Sequence, residues 1–475
     1  MQGSPLVHAP LAEWARTRGG ALAISNGKLA LTYAELDAAV SQRAQALTRD
    51  HAPANLLIDS NASTLERVVE LLAIVSSGRC AAVADPDWPP HLHQAVRSTI
   101  DALPTALPTL TGDAPFYIGF TSGTTGRPKG FRRSHASWVE SFEACLATFG
   151  TPAAARILAP GSMSHSLFLF AMLLGIWSGG GVVVQEQFSA ARVLDTLRLG
   201  KTPSLIAVPS QLLLMIELAT RRRLAPMEGV RLILISGARW ARDRTPELQA
   251  LFPKARIIEF YGASETSFVA WMNANEHTPT QVVGYPFPQV AISVRDRDAE
   301  TSAGLIFVRS PMLFMDYVGA GNDSTAALRD GPWLSVCDMG YLDAMGRLCL
   351  VGRHNRMIVT QGKNLFPEEL EAVLAMHEGV VQASVHGLRD ALRGMQVAAV
   401  LQLAPEAAAP SAHALSAWCR ERLEAYKGPR RYFICRDWPL TSSGKTDHAA
   451  LGASLQQLET QSPDPALPCL APLSS

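Results

Sequence analysis

Residues 120–130 read FTSGTTGRPKG, and this loop constrains the chain more than any other stretch. The apolar, β-prone run PFYIGF at 115–120 leads into it, so the segment is expected to leave one strand and bend back into a second. Thr121, Ser122, Thr124 and Thr125 offer hydroxyls, Gly123 and Gly126 let the backbone fold on itself, and Arg127 and Lys129 add positive charge. That is phosphate-binding chemistry. The familiar nucleotidase loop is nevertheless excluded, because it needs four residues between its glycines and a helix opening at the lysine. Here two residues separate Gly123 from Gly126, Pro128 removes an amide, and Gly130 follows Lys129. A hairpin that grips phosphate by another geometry is expected, with a plain solvated turn as the alternative.

At 475 residues the chain exceeds one compact core and is expected to form two or more domains. Lys plus Arg and Asp plus Glu are equal at 42 each, which argues against nucleic acid or an anionic membrane as a partner. No charged-then-apolar leader is visible, and the most apolar run, SLFLFAMLLGIW at 166–177, is too short to span a bilayer and predicts a buried helix. The seven cysteines are scattered and never in CxxC spacing, so reduced thiols, no zinc site and a cytoplasmic location are expected.

Alternating helix-like and strand-like stretches predict an α/β protein: a large layered N-terminal domain of β-sheets and helices, then a smaller α+β C-terminal domain. Thr32 and Glu35 are spaced as a capping box before an amphipathic helix. SLIAVPS, VRLILISGA and ARIIEFYGA predict three apolar strands ending in small or polar residues, where ligands collect in such sheets. The character changes near Arg353, giving expected boundaries of 1–353 for the first domain, 354–356 for a hinge and 357–455 for the second. From 456 to 475 the sequence is rich in Pro and Ser and is expected to be a disordered tail.

Further chemical pieces stand along the chain. YGASETS at 261–267 sets an aromatic ring, hydroxyls and a carboxylate close together at a strand end. VCDMGYL offers Asp338, VGRHNR offers Arg353, and PLTSSGKTDH offers Lys445 in a Gly/Ser turn. Taken in order and at this spacing, the motifs resemble those of the adenylate-forming superfamily of acyl-CoA synthetases, carrier-loading adenylation domains and luciferase-like enzymes, over about residues 31–451.

The resemblance implies a two-step reaction: carboxylate plus ATP gives acyl-AMP and pyrophosphate, and a thiol then displaces AMP. It implies that Thr121, Ser122, Gly123, Thr124, Thr125, Gly126 and Lys129 surround the β- and γ-phosphates, with Gly237, Ala238 and Gly262 also at the nucleotide. Tyr261 would stack on adenine, Ser264 contact the α-phosphate, Glu265 hold Mg²⁺, Asp338 bind the ribose and Arg353 assist beside it. Lys445 would reach the α-phosphate and carboxylate from a mobile second domain, His165 would gate the carboxylate, and Gly362 would line the thiol tunnel.

The acyl pocket is expected to draw on Ser166, Leu167, Phe170, Ala238, Ala263 and Phe268, with Trp240 closing its far end. Amino-acid-loading relatives carry an Asp just after the gating position; here Ser166 follows His165. A buried ammonium would lack a counter-charge, so a non-amino acid with an apolar aliphatic or aromatic body is expected. The thiol is expected to be that of CoA, with the phosphopantetheine of an acyl carrier protein as the alternative acceptor. A basic cluster of Lys427, Arg430 and Arg431 would suit either. A non-catalytic adenylate-binding protein is the reading from another class. Three departures stand out: Asn355 at the expected hinge, a short interval between residue 89 and the phosphate loop, and Thr446, Asp447 and His448 after Lys445 where a basic residue often follows.

Overall fold

The computed structural model describes residues 6–122, 128–298, 302–318, 328–360, 363–390, 394–404, 409–441, 445–460 and 467–473. It divides into two compact units. The first comprises Met1–Ser293, Phe307–Val336 and Asp343–Leu348; the second comprises Val294–Ile306, Cys337–Leu342 and Cys349–Ser475. Asp338 and Arg353 thus fall in the second unit, which takes in more chain than a boundary at 353 allows. The cause is long-range pairing: Gly304 and Leu305 lie opposite Gly340 and Met339 within the second unit, a register that composition does not reveal.

The first unit is built on two sheets. One runs, in spatial order, through Val282–Pro286, Ser267–Asn273, Arg256–Ala263, Leu232–Ile235, Ser204–Ala207, Ile157–Ala159, Val182–Val184, Leu22–Ser25 and Ala30–Thr32. Its central strands are parallel and read as unbroken apolar runs, because helices cover them. Leu194, Leu212, Met215, Ile233, Ile235, Leu248 and Phe252 form one such core under the helices Ala190–Arg198, Pro209–Arg221 and Thr245–Leu251. The second sheet orders Tyr317–Val318, Pro128–Ser134, Pro115–Ser122, Cys80–Ala82 and Asn55–Leu57. Strands Pro115–Ser122 and Pro128–Ser134 are the two arms of the expected phosphate-loop hairpin, paired antiparallel from Pro115 opposite Ser134 to Ser122 opposite Pro128.

Local chemistry sets the helices. Thr32 accepts the Glu35 amide at 3.3 Å while the Glu35 carboxylate accepts the Thr32 amide at 2.8 Å, the reciprocal cap expected for helix Tyr33–Arg49. Ser63 and Glu66 repeat the device at helix Thr64–Ser76. Helix Ser166–Trp177 is buried from Phe168 to Ile176 on all sides, as an apolar helix without a polar face must be. No helix among the described residues is long and apolar enough to cross a membrane.

In the second unit a sheet orders Val380–Asp390, Gly394–Leu403, Arg431–Cys435 and Leu470–Pro472. Val397, Ala399 and Leu401 pack to one side with Leu370, Leu374 and Leu415, whereas Ala398 and Val400 pack to the other with Leu451 and Leu455. The strand is therefore apolar at every position from 397 to 401. Strand Leu470–Pro472 pairs antiparallel with Arg431–Cys435, and helix His448–Thr460 extends through residue 460. The expectation of a disordered tail from 456 is corrected on both counts. Buried Leu470, with Leu473 packed on the opposite core, anchors the return of the chain, contacts that a Pro- and Ser-rich composition hides.

Near the N-terminus of the first unit, His135 is buried and stacks on Phe116 at 5.1 Å, with its Nδ1 accepting the Val7 amide at 3.2 Å. Burial pushes its pKa down to about 3, and His8, 5.7 Å away, down to about 4. A histidine held neutral by the fold takes up protons more readily when unfolded. Its stabilisation is complete above 6.5 and is lost as pH falls toward the folded value, at up to about 1.4 kcal/mol per pH unit. His135→Phe keeps the stacking and should flatten the dependence of stability on pH between 6.5 and 5; an unchanged slope in denaturant unfolding would contradict this account.

Candidate active site

Strand Arg256–Ala263 turns through residues 264–266 into Ser267–Asn273, so Ser264 and Glu265 occupy the tip of a hairpin. The turn is tight for identifiable reasons. A side chain on Gly262 would overlap the Ser267 carbonyl oxygen, Ser267 itself adopts a left-handed φ of 57°, and the Thr266 hydroxyl accepts the Ala263 amide at 3.0 Å. The Ser141 hydroxyl lies 2.7 Å from that of Ser267 and ties the hairpin to helix His135–Phe149.

Behind the turn lies Arg133, a residue the sequence does not single out. It is 2% exposed, donating to the Ser264 carbonyl and the Met312 carbonyl at 2.7 Å each and to the Ser137 hydroxyl at 3.2 Å. Burial lowers its pKa to about 9, opposed by the nearby Glu265 carboxylate, so the guanidinium stays charged at neutral pH. Its neighbour Arg132 makes a two-pronged pair with Asp316 at 2.7 and 2.5 Å. The strand carrying Lys129 is thereby fixed to both the Ser264–Glu265 turn and the segment at 312–317.

Glu265 is 9% exposed and accepts a hydrogen bond from the Tyr317 hydroxyl at 2.9 Å on Oε1. The Lys129 ammonium sits 3.7 Å above the centre of the Tyr317 ring. Tyr317 thus joins the expected metal-binding carboxylate to the expected phosphate-binding lysine. A buried carboxylate with one oxygen steadied by a phenol has donor chemistry that fits a hard divalent cation on its other oxygen. Thr121 stands on the arm of the hairpin, and Ser122 ends it; Gly123, Thr124, Thr125 and Gly126 lie outside the described residues.

Ser166 opens helix Ser166–Trp177, with His165 as its N-terminal flanking residue, edge-on to Phe168 at 6.4 Å. The Ser166 hydroxyl lies 3.2 Å from that of Ser264, bringing an expected pocket residue against an expected phosphate contact. Phe170 and Phe268 meet edge to face at 5.1 Å, and Phe268 continues into Phe260 and Phe287 at 4.8 and 4.9 Å. Tyr117, fully buried beside Ser166, has its phenol pushed up to about 12 by burial and is another residue the sequence does not mark. Leu167, Ala263 and Tyr261 are part-exposed nearby in sequence, and Gly237, at φ 91°, and exposed Ala238 follow strand Leu232–Ile235.

Two expectations are corrected. Trp240 does not close the acyl pocket: it is 2% exposed in the helix-covered core with Leu248 and Phe252, its indole donating to Thr245 at 2.9 Å. Lys427 is not part of a solvated basic patch, because it is buried between Glu369 and Glu424 at 2.9 and 2.8 Å. In the second unit Asp338 and Arg353 form an ion pair at 3.1 Å, and Lys445 is exposed, its amide donating to the Thr441 hydroxyl at 3.2 Å. Asn355 is exposed in the short helical turn His354–Arg356. Gly362 lies outside the described residues.

Comparison with known proteins places the chain in a family. The family described as AMP-binding enzyme matches residues 50–318, and its C-terminal domain family matches 369–445. An uncharacterized acyl–CoA ligase, YhfT of Bacillus subtilis, is 37% identical over 351 residues, 73% of this chain and 70% of the relative. The 2-succinylbenzoate–CoA ligase of Arabidopsis thaliana is 30% identical over 401 residues, 76% of this chain and 71% of the relative. Among solved structures, O-succinylbenzoate Coenzyme A synthetase from Bacillus subtilis with AMP superposes with a TM-score of 0.77 at 23% identity, covering 92% of this chain and 96% of its own. ATP-bound MatB from Rhodopseudomonas palustris gives 0.81 at 20% identity, covering 96% and 100%. The chain belongs to the AMP-binding enzyme family and is an acid–CoA ligase of the AMP-forming type.

Proposed function

We propose that the acid this ligase activates lacks an α-ammonium group and has an aliphatic or aromatic body. The observation that carries the reading is the Ser166–Ser264 contact at 3.2 Å: the helix bearing Phe170, which packs on Phe268, meets the turn bearing Glu265, with a neutral hydroxyl where an ammonium would need a carboxylate. CoA is the acceptor in this reading. All seven cysteines are free thiols, in keeping with a cytoplasmic enzyme.

In the first step a substrate carboxylate oxygen attacks the α-phosphorus of ATP and the bond to pyrophosphate breaks. In the second, the CoA sulfur attacks the acyl carbon and AMP departs with the bonding pair. The first step brings anions together, so fixed positive charge in a dry site lowers its barrier most. We assign Lys129, Thr121 and Ser122, with Gly123, Thr124, Thr125 and Gly126, to the β- and γ-phosphates, Ser264 to the α-phosphate and Tyr261 to adenine. Gly237, Ala238 and Gly262 leave the nucleotide room. Glu265 would hold Mg²⁺, which supplies Lewis-acid charge neutralisation on phosphate oxygens. Asp338, with Arg353 beside it, is assigned to the ribose, His165 to the substrate carboxylate, and Lys445 to the carboxylate and α-phosphate during adenylation.

Acid-dependent exchange of labelled pyrophosphate into ATP tests the reading, with aliphatic acids, benzoates, α-amino acids and 2-succinylbenzoate, the acid in the name of the Arabidopsis relative. Exchange with α-amino acids alone would overturn it. Ser166→Asp should lower kcat/KM for the native acid about a thousand-fold, since like charges roughly 4 Å apart at an effective dielectric of about 20 repel by about 4 kcal/mol. Ser166→Ala should cost far less, and equal rates for the two variants would remove Ser166 from the pocket.

The Tyr317 bridge gives a separate expectation. Tyr317→Phe loses a hydrogen bond to a buried carboxylate, worth about 1.5–3 kcal/mol, but keeps the ring under Lys129. Tyr317→Leu loses both and should be less stable still, by about 0.5–1 kcal/mol. Equal denaturant midpoints for the two variants would show that the ring contact contributes nothing.

A further inference from the structure

The second unit contains a polar row, centred on buried Ser384, that the assigned roles leave unused. Gln382, Ser384 and His386 alternate along strand Val380–Asp390 and share the face covered by helix His448–Thr460. Gln382 accepts from the Thr446 hydroxyl at 3.0 Å, which in turn accepts from the Trp438 indole at 3.1 Å. The Ser384 hydroxyl lies 2.7 Å from His448 Nδ1 and 2.7 Å from His386 Nε2. Both imidazoles are held neutral by burial, so one donates to the serine oxygen and the other accepts its proton. The row thus grips the two residues, Thr446 and His448, that stand just after Lys445.

A second set of contacts joins this grip to the chain after Asn355. Glu371 accepts from Arg356 at 2.5 Å and from the Val385 amide at 2.8 Å, and its Oε1 lies 3.7 Å from His448 Nδ1. Arg356 also reaches Glu368 at 3.0 Å. The backbone of the lysine turn is closed separately by the Thr441 amide donating to the Lys445 carbonyl at 2.7 Å and the Asp447 amide donating to the Pro439 carbonyl at 2.9 Å. Lys445 therefore hangs on a frame fixed at Thr446 and His448, and Glu371, which accepts the Val385 amide next to Ser384, ties the same strand to Arg356.

We propose that Gln382, Ser384 and His448, with Thr446, are positioning residues that aim Lys445 for the adenylation step. They hold the residues just after Lys445 to the sheet with neutral hydrogen bonds. The proposal rests on the assignment of Lys445 to adenylation. A long lysine on an exposed turn loses its charge complementarity if the turn shifts by about an ångström, a displacement able to cost about a hundred-fold in rate.

The test separates the two half-reactions in the full-length enzyme. Thr446→Val and His448→Ala should each lower kcat for acid-dependent pyrophosphate exchange about 10- to 100-fold, with KM for ATP and acid changed less than about three-fold. Thioester formation from synthetic acyl-AMP and CoA should stay within about two-fold of wild type, because Lys445 serves only the first step. Gln382→Met, which removes the Thr446 contact from the sheet side, should reproduce Thr446→Val, and His448→Asn, which restores a polar group near Nδ1, should recover most of the loss. Equal falls in both half-reactions, no fall in either, or no recovery by His448→Asn would overturn the proposal. Lys445→Ala run beside them keeps the two levels apart: full exchange in that variant removes the lysine assignment itself, whereas loss there with unaffected Thr446 and Gln382 variants removes only the positioning role.

Discussion

The buried guanidinium of Arg133 is the interaction on which the first unit's chemistry stands. Its donors go to the Ser264 carbonyl, the Met312 carbonyl and Ser137, so three segments far apart in sequence meet on one side chain. None of these partners carries a charge, and a cation buried among neutral acceptors is costly to desolvate. Glu265, one residue beyond the contacted carbonyl, supplies the compensating field. Arg133 thus shapes the Ser264–Glu265 turn by holding its backbone from behind.

Around that staple the phosphate-loop hairpin and the segment at 312–318 act as one support. Arg132 holds Asp316, Tyr317 holds Glu265, and Lys129 lies over the Tyr317 ring. Lys129 and Thr121 stand on strands, and the Ser264–Glu265 turn is held by side chains from neighbouring segments, which limits how far these groups can drift between substrate binding and reaction. In the second unit the same logic recurs with neutral groups. The row Gln382–Ser384–His386 steadies the turn of Lys445 without adding a charge that would compete with phosphate for the lysine.

Much of this was legible from sequence where the signal is local. The capping box at Thr32 and Glu35, the apolar helix at 166–177 and the three strands ending near Ala207, Ile235 and Ala263 depend on neighbours a few residues apart. Side-chain pairing across the chain was not legible. Arg133 looks like a surface residue until its partners at 264 and 312 are known, and Lys427 looks like a free cation until Glu369 is brought beside it. Trp240 follows a strand end where pockets form, yet its indole turns into the core because helix Thr245–Leu251 offers both apolar cover and a hydroxyl. The strand at Leu470–Pro472 was hidden for a related reason: three residues suffice when an edge strand is waiting.

The central claim, that the turn built on Arg133 presents Glu265 as the metal-binding carboxylate of an ATP site, is tested most directly by calorimetric titration of ATP into wild-type and Glu265→Gln protein with and without Mg²⁺. The substitution keeps the shape and leaves Tyr317 an oxygen to donate to. Wild type should bind ATP more tightly when Mg²⁺ is present, and Glu265→Gln should lose that gain while binding Mg²⁺-free ATP as wild type does. An undiminished Mg²⁺ effect in the variant would contradict the account.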